Sequence, residues 1–217
     1  MAPYDGARQL GGGALDRAFK IALDSNNNVY VGVYVQPSNG NKPVHFSPTE
    51  VLPVTSGTPN IVSDHYKTTF LVKYDTNGQF IWKRNLQGDV ADGNSDSSLN
   101  DILIDSNDNI HFIVGLLYGT HLNNTVTVPS QYNASDKLKH YLVQFNSNGQ
   151  LLSSIPLPFD YGSRLVELNV SFKLDEANNR YYIAGFRLDA SSIGYFPLSY
   201  GWYSIYQKCL YIGNKRR

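Results

Sequence analysis

Cysteine occurs once in the 217 residues, at Cys209. A lone thiol excludes an intrachain disulfide and a cysteine-based zinc cluster, so the fold has to be held by burial. Charge of one sign is equally lacking. Lys+Arg 18 balances Asp+Glu 18 for a formal net charge of +0, which leaves no electrostatic footprint for nucleic acid or an anionic membrane. No apolar run approaches the roughly 18 residues of a membrane span, and Met1–Gln9 has no apolar core of the kind a secretory leader needs. The expectation is a chain with no membrane span and no export signal, its compartment unassigned. Glutamate is scarce, limited to Glu50, Glu167 and Glu176. Gly-x-Ser-x-Gly, phosphate-loop and dinucleotide patterns do not occur.

What the chain does have is aromatic and turn-forming residues. Aromatics make up 13%, with Tyr 16 and Gly 18, a composition that suits strands joined by tight turns better than helices. Overlaying the chain on itself shows a repeat. Phe19–Val33, Asp101–Gly115 and Phe172–Gly185 each read as an apolar strand, a polar turn and a second strand, and their aspartates Asp24, Asp105 and Asp175 lie 81 and 70 positions apart. Phe70–Trp82 and Tyr141–Leu152 form a second repeated pair, 71 positions apart. Each unit therefore holds two hairpins, hence four strands. Asn77-Gly78 and Asn148-Gly149 supply positive φ for the second hairpin of a unit, and Asn28, Asn109 and Asn179 are expected to take the left-handed position in the first. The alternation of Val29–Val35 predicts a strand with one packed face. The apolar run Ile102-Leu103-Ile104 predicts an inner strand covered on both.

Between the hairpins lie polar segments, 36–68 and 118–139, which lengthen the repeat beyond the roughly 40–50 residues of a usual propeller unit. Insertions of this kind tend to gather on one face, where binding is often found. The segment 87–100 reads as a solvated connection. One all-β domain over 1–217 is expected, a β-propeller-like repeat of about three four-stranded antiparallel blades, with units at 14–86, 99–157 and 168–214 and a stray blade-closing strand at 7–10.

At these residues the chain resembles the SBBP family, a bacterial-type β-propeller repeat. Leu10-Gly11-Gly12, Asp16, Ile21-Ala22-Leu23-Asp24, Asn28-Val29-Tyr30-Val31, Leu71-Val72-Lys73-Tyr74-Asp75, Gly78 and Trp82 fall in the order of its unit. Departures are Asn for Gly in the first turn, the insertions, the loss of Trp in the second unit, and a third unit that fades after Tyr206-Gln207-Lys208. The resemblance implies a propeller-like architecture and no particular chemistry. By register, Ala7–Leu10 matches the strand that ends a unit and Trp202–Lys208 the third strand of one, so the N-terminal strand is expected to complete the last blade. The competing assignment makes Cys209–Asn214 the fourth strand and leaves the N-terminal strand for a neighbouring chain. Three blades are fewer than the four to eight or so of closed propellers. Closure on three units, a dimer or higher oligomer completing a ring, or an open stack capped by another protein remain, and dependence on a partner is favoured.

The chemistry-bearing residues form no recognisable site. The Asp-x-Asn-x-Asn runs at Asp24 and Asp105 resemble the start of a calcium loop. Neither has the required Gly at the sixth position or Glu at the twelfth, which are Val29 and Val35 in one and Ile110 and Leu116 in the other. Hairpin turns explain them better. His45, His65, His111, His121 and His140 show no ligand spacing. The sequons at Asn123, Asn133 and Asn169 are of the frequency expected by chance, and Lys215-Arg216-Arg217 reads as a solvated tail. No catalytic residue, metal ligand or cofactor is assigned. A non-enzymatic structural or interaction scaffold is the leading expectation, a subunit of a larger assembly such as a virion or surface particle, with a protein partner or self-association. The alternative is a carbohydrate-binding or carbohydrate-active propeller using Trp82, Trp202 and tyrosines as stacking faces.

Overall fold

The computed structural model describes residues 10–12, 16–35, 43–52, 68–86, 97–116, 118–122, 124–129, 138–157, 170–185, 198–200, 203–205 and 210–214. All of its regular elements are strands. The first unit contains β1 (Arg17–Leu23), β2 (Val29–Val35), the short β3 (Val44–His45) and β4 (Val51–Leu52), then β5 (Thr68–Tyr74) and β6 (Phe80–Asn85). The second contains β7 (Ser97–Ile104), β8 (Ile110–Leu116), β9 (Gly119–His121), β10 (Val126–Val128), β11 (Lys139–Phe145) and β12 (Leu151–Pro156). The third contains β13 (Val170–Asp175), β14 (Arg180–Gly185), β15 (Leu198–Tyr200), β16 (Tyr203–Ile205) and β17 (Leu210–Asn214). Two sheets have four antiparallel strands, in the orders β1-β2-β5-β6 and β7-β8-β11-β12, and a third has three, β13-β14-β17. The repeat extends to irregularities. Register shifts fall at Ala18/Lys20 and Leu99/Asp101, and again at Lys73/Tyr74 and Gln144/Phe145.

Four turns share one local chemistry. In each, a side-chain oxygen accepts from the backbone N–H groups two and four residues on: Asp24 from Asn26 and Asn28, Asp75 from Asn77 and Gln79, Asp105 from Asn107 and Asn109, Asn146 from Asn148 and Gln150. That cage satisfies donors that a three-residue loop leaves unpaired and fixes the hairpin without sheet contacts. Each loop ends on a positive φ, the usual form of a three-residue hairpin. Gly78 (φ 75) and Gly149 (φ 73) take it as expected. In the first hairpins it falls on Asn27 (φ 61) and Asp108 (φ 59), one residue before Asn28 and Asn109. The correction has a cause. Asn28 and Asn109 already close the hairpin, their carbonyls accepting from Asp24 and Asp105 N–H, so the left-handed residue must precede them. In the third unit the loop is one residue longer, Asp175 pairing with Arg180, and Asn179 (φ 54) is left-handed as predicted.

The units stack face to face. We call the side of a unit toward the preceding one its near face and the other its far face. The far face of the first unit (Tyr30, Leu71, Trp82, Leu86) and the near face of the second (Ile102, Ile110, Phe112, Val114, Phe145) form one buried cluster. The far face of the second (Ile113, Leu142, Leu157) joins Phe172, Tyr181 and Ile183 of the third in another. A side chain of this size contributes roughly 1.5–3 kcal/mol when buried, so these two seams are the main cohesive contacts. Packing at the first seam is tight enough to dictate a glycine. A Cβ on Gly32 would stand 2.6 Å from Leu99 Cδ2. Ile102-Leu103-Ile104 is covered on both sides as expected, Ile102 in the first seam and Leu103 against the second. β2 is buried more completely than its alternation suggested. Its Tyr30 faces the second unit, while Val33 and Val35 pack under the insertion hairpin β3-β4 with Val44, Phe46, Phe70 and Val72.

The third unit and the insertions depart from expectation. β17, not Trp202–Lys208, pairs with β14 and is the third strand of its sheet, so Cys209–Asn214 is not a fourth strand either. Tyr203–Ile205 belongs to a separate two-stranded hairpin with β15. The 70-position spacing agrees with this: β11 displaced by 70 falls on 209–215, and the third unit, like the second, has a hairpin between its second and third strands. Among the described residues its sheet is one strand short. Ala7–Gln9 lie outside the described residues. Leu10, however, packs in the near-face cluster of the first unit, and Gly11 bridges His45. The segments 36–68 and 118–139 are not polar throughout. Each contains a hairpin whose apolar side chains are core, Val44 and Phe46 in one, Leu122, Val126 and Val128 in the other. Ser97–Asn100, expected within a connection, begins β7.

Candidate functional site

The polar residues most suggestive of chemistry converge at the two seams. At the second, Asp105 Oδ2 lies 2.9 Å from His111 Nε2, and Tyr181 Oη lies 2.8 Å from His111 Nδ1. An ionised carboxylate only accepts, so Nε2–H donates to Asp105; in the neutral ring Nδ1 then accepts the Tyr181 hydroxyl proton. Burial works to raise the Asp105 pKa. Hydrogen bonds from His111, the Asn109 side chain and the Asn109 and Asn107 backbone outweigh it, and the carboxyl is held well below the usual range. Burial and then the Asp105 charge push Tyr181 far above an ordinary phenol. The arrangement has the order of an acid–base relay, but His111 is 0% exposed. It joins the second unit's turn to the third unit's second strand.

At the first seam the equivalent aspartate has a different set of partners. Asp24 accepts from the Tyr30 hydroxyl at 3.1 Å and the Asn28 amide at 2.9 Å, with Lys73 Nζ at 3.5 Å. Burial opposes ionisation here too, and the Asn28, Tyr30 and Asn26 hydrogen bonds override it to lower the pKa. Lys73 also lies over the Tyr30 ring and donates to Ser147 O of the second unit. Trp82 Nε1 donates to the same carbonyl, while Arg84 donates to Gly149 O and Asn148 O, both at 2.8 Å. Three side chains of one unit thus grip the outer turn of the next.

A smaller device repeats at the inner turns. Ser25 N–H and Oγ donate to the Asp108 carboxylate, and Ser106 N–H and Oγ donate to that of Glu176. Asp101, 3.8 Å from Lys20, also accepts from Ser171 Oγ and Phe172 N–H, tying all three units through one carboxylate.

The residues weighed from sequence scatter among these roles. Asp24 and Asp105 spend their carboxylates on turn and seam. Glu50 pairs with Lys83, and Glu176 is the Ser106 acceptor. His45 is exposed on β3, whereas His111, His121 and His140 are buried. Among the described residues no three His, Cys, Asp or Glu side chains gather as a metal site. Trp82 is 9% exposed and committed to Ser147, which removes it as a stacking face. Asn123, Asn133, Asn169, His65, Glu167, Trp202, Cys209 and Lys215–Arg217 lie outside the described residues. Sequence reasoning missed the relay and the serine–carboxylate clasps. The available signal was substitution at matched positions, His111 standing where the first unit has Tyr30.

What remains for binding is at the surface. The insertion hairpin of the first unit is fixed from below by the Tyr74 hydroxyl donating to Phe46 O at 2.8 Å and by the Lys83–Glu50 ion pair. Burial pushes the Tyr74 phenol up to about 12. Its turn, Ser47–Glu50, is held by Ser47 Oγ accepting from Thr49 and Glu50 N–H. The second insertion turns through Leu122 (φ 52) and Asn124 (φ 64). Each hairpin presents an exposed tip, Pro48 and Thr49 or Asn124 and Thr125, on an apolar footing.

The chain is similar to an uncharacterized WD repeat-containing protein of Acanthamoeba polyphaga mimivirus, 25% identical over 173 residues that make up 76% of this chain and 10% of that relative. It therefore spans about a tenth of the relative's length. No family model matches the chain. The likeness agrees with the all-strand structure in placing the fold among propeller-like repeats. No helix is long and apolar enough to cross a membrane among the described residues.

Proposed function

We propose that this chain is a non-enzymatic protein-interaction scaffold whose binding surface is built from the insertion hairpins β3-β4 and β9-β10. The observation that carries the reading is the engagement of the polar side chains at the seams. Asp24, Asp105, His111, Lys73, Trp82 and Arg84 are turned to joining units, and the exposed variety lies at hairpins seated on apolar cores. Rigid footing with exposed tips suits protein recognition, since little ordering entropy is lost on binding. The likeness to a WD repeat-containing viral protein supports the same class, and a subunit of a virion or surface particle is its finer form. That the unit is an SBBP repeat is a finer proposal, resting on the turn and strand residues Asp24, Asn28-Val29-Tyr30 and Lys73-Tyr74-Asp75.

The test compares capture of proteins from source-cell extract by the full chain and by a variant with Pro48-Thr49 and Asn124-Thr125 replaced by Gly-Ser. Partners recovered by the first and lost by the second, with unchanged far-UV circular dichroism, are the expected result. Saturable binding on a glycan array, or turnover on a panel of glycoside substrates, overturns it in favour of the carbohydrate class.

A further inference from the structure

Among the described residues one apolar face of the stack is covered only in part, and the repeat shows what covers it elsewhere. Ile21, Ile102 and Phe172 occupy the same place on the inner strand of successive units, yet are 67%, 7% and 3% exposed. Leu23, beside Ile21, is 54% exposed. Ile102 and Phe172 are covered by the far face of the unit before them. A second mark of a covering unit is present. The residue that follows the fourth strand packs on the near face of the next unit: Leu86 with the second unit, Leu157 with the third. Leu10 holds the corresponding place on the first unit, and Arg8-Gln9-Leu10 repeats Arg84-Asn85-Leu86 in sequence. The hairpin β3-β4 shields the outer part of this face and leaves Ile21 and Leu23 open. At the other end of the stack the third sheet, with β17 at its margin, is one strand short among the described residues.

We propose that the near face of the first unit docks the far side of the third unit of a second copy of this chain, so that two chains close one ring of six units. Six lies within the about four to eight blades at which propellers close. A head-to-tail contact that closes after two copies is a symmetric dimer and leaves no open end. A net charge of +0 sets no repulsion between copies. Within one chain the far side of the third unit does not cover this face, since Ile21 stays open. Its far side offers Ser171 and Lys173, both exposed, where the first unit has Lys20 and Ala22. The contact between copies is accordingly weaker than the internal seams, and assembly depends on concentration. The proposal deepens the scaffold reading and rests on it only in taking the chain as an assembly component.

Light scattering after size exclusion on the full chain, at high concentration and on serial dilution, tests it. The expected result is twice the chain mass, falling to the single mass on dilution. Ile21→Glu weakens association by about 10-fold or more. Leu152→Glu, on the outer strand of the middle unit and 51% exposed, leaves it unchanged, and circular dichroism verifies that both variants fold. In a Cys209→Ser background, a bifunctional thiol reagent links Leu23→Cys chains to Lys173→Cys chains and not to one another. A monomer at every concentration, a dimer indifferent to Ile21→Glu, or self-linking of Leu23→Cys chains overturns the proposal. Loss of dimerisation with hairpin-dependent capture intact would fail this inference alone.

Discussion

Asp105 shows how one position acquires two duties. Its Oδ1 closes a turn by accepting Asn107 and Asn109 N–H, and its Oδ2 receives His111, which in turn meets Tyr181 of the next unit. The turn duty was legible, since Asp followed by Asn-rich residues is turn chemistry wherever it occurs. The seam duty was not, because it needs Tyr181, 70 positions beyond His111, to which no local pattern points. The carboxyl's lowered pKa gives a signed prediction. A depressed carboxylate adds stability above its unfolded value, about pH 4, and that stability is lost as pH falls through the folded value. Asp24 acts in the same sense. Asp105→Asn should therefore cost on the order of 1–3 kcal/mol at pH 7 and flatten the acid limb below about pH 4, measured by urea unfolding across pH. An unchanged acid limb would mean that the relay does not couple ionisation to folding.

At the scale of elements, strands and hairpins were read from the sequence because their signals are local: alternation, Asn-Gly and the repeated aspartate. The misplacements arose where local signals tie. Asn27 and Asn28 are the same residue type, and only the pairing of Asp24 with Asn28 decides which is left-handed. Asn27→Gly should be neutral or stabilising, since glycine takes that φ without a Cβ penalty. Asn28→Gly removes the amide that donates to Asp24 and should cost about 1 kcal/mol; thermal unfolding of both variants distinguishes them. The third unit was misassigned for a similar reason. Tyr203–Ile205 and Leu210–Asn214 are both short β-prone runs, and their partners, β15 and β14, are fixed only in three dimensions. The apolar residues of the insertions were overlooked because Val44, Phe46 and Val126 are scattered among Pro, Ser, Asn and Thr.

The whole molecule is one stack in which the middle unit is covered by neighbours on both faces and is braced by the Arg84 grip, the serine clasps and the His111 relay. The three-unit repeat could be counted in the sequence; the seams could not, since the residues facing across them share no pattern. Such a stack differs from three hairpin pairs on a string in how it opens. Backbone amides in strands sealed on both faces exchange only when the whole unit comes apart. Hydrogen exchange of the full chain, resolved by residue at a dilution where it is a single chain, is the direct measurement. Amides of β8 and β11 should be the slowest, exchanging at the rate set by global unfolding, with β1 much faster because its near face is open. Equal protection in the first and second units, or fast exchange in β8 and β11, would contradict the stacked arrangement.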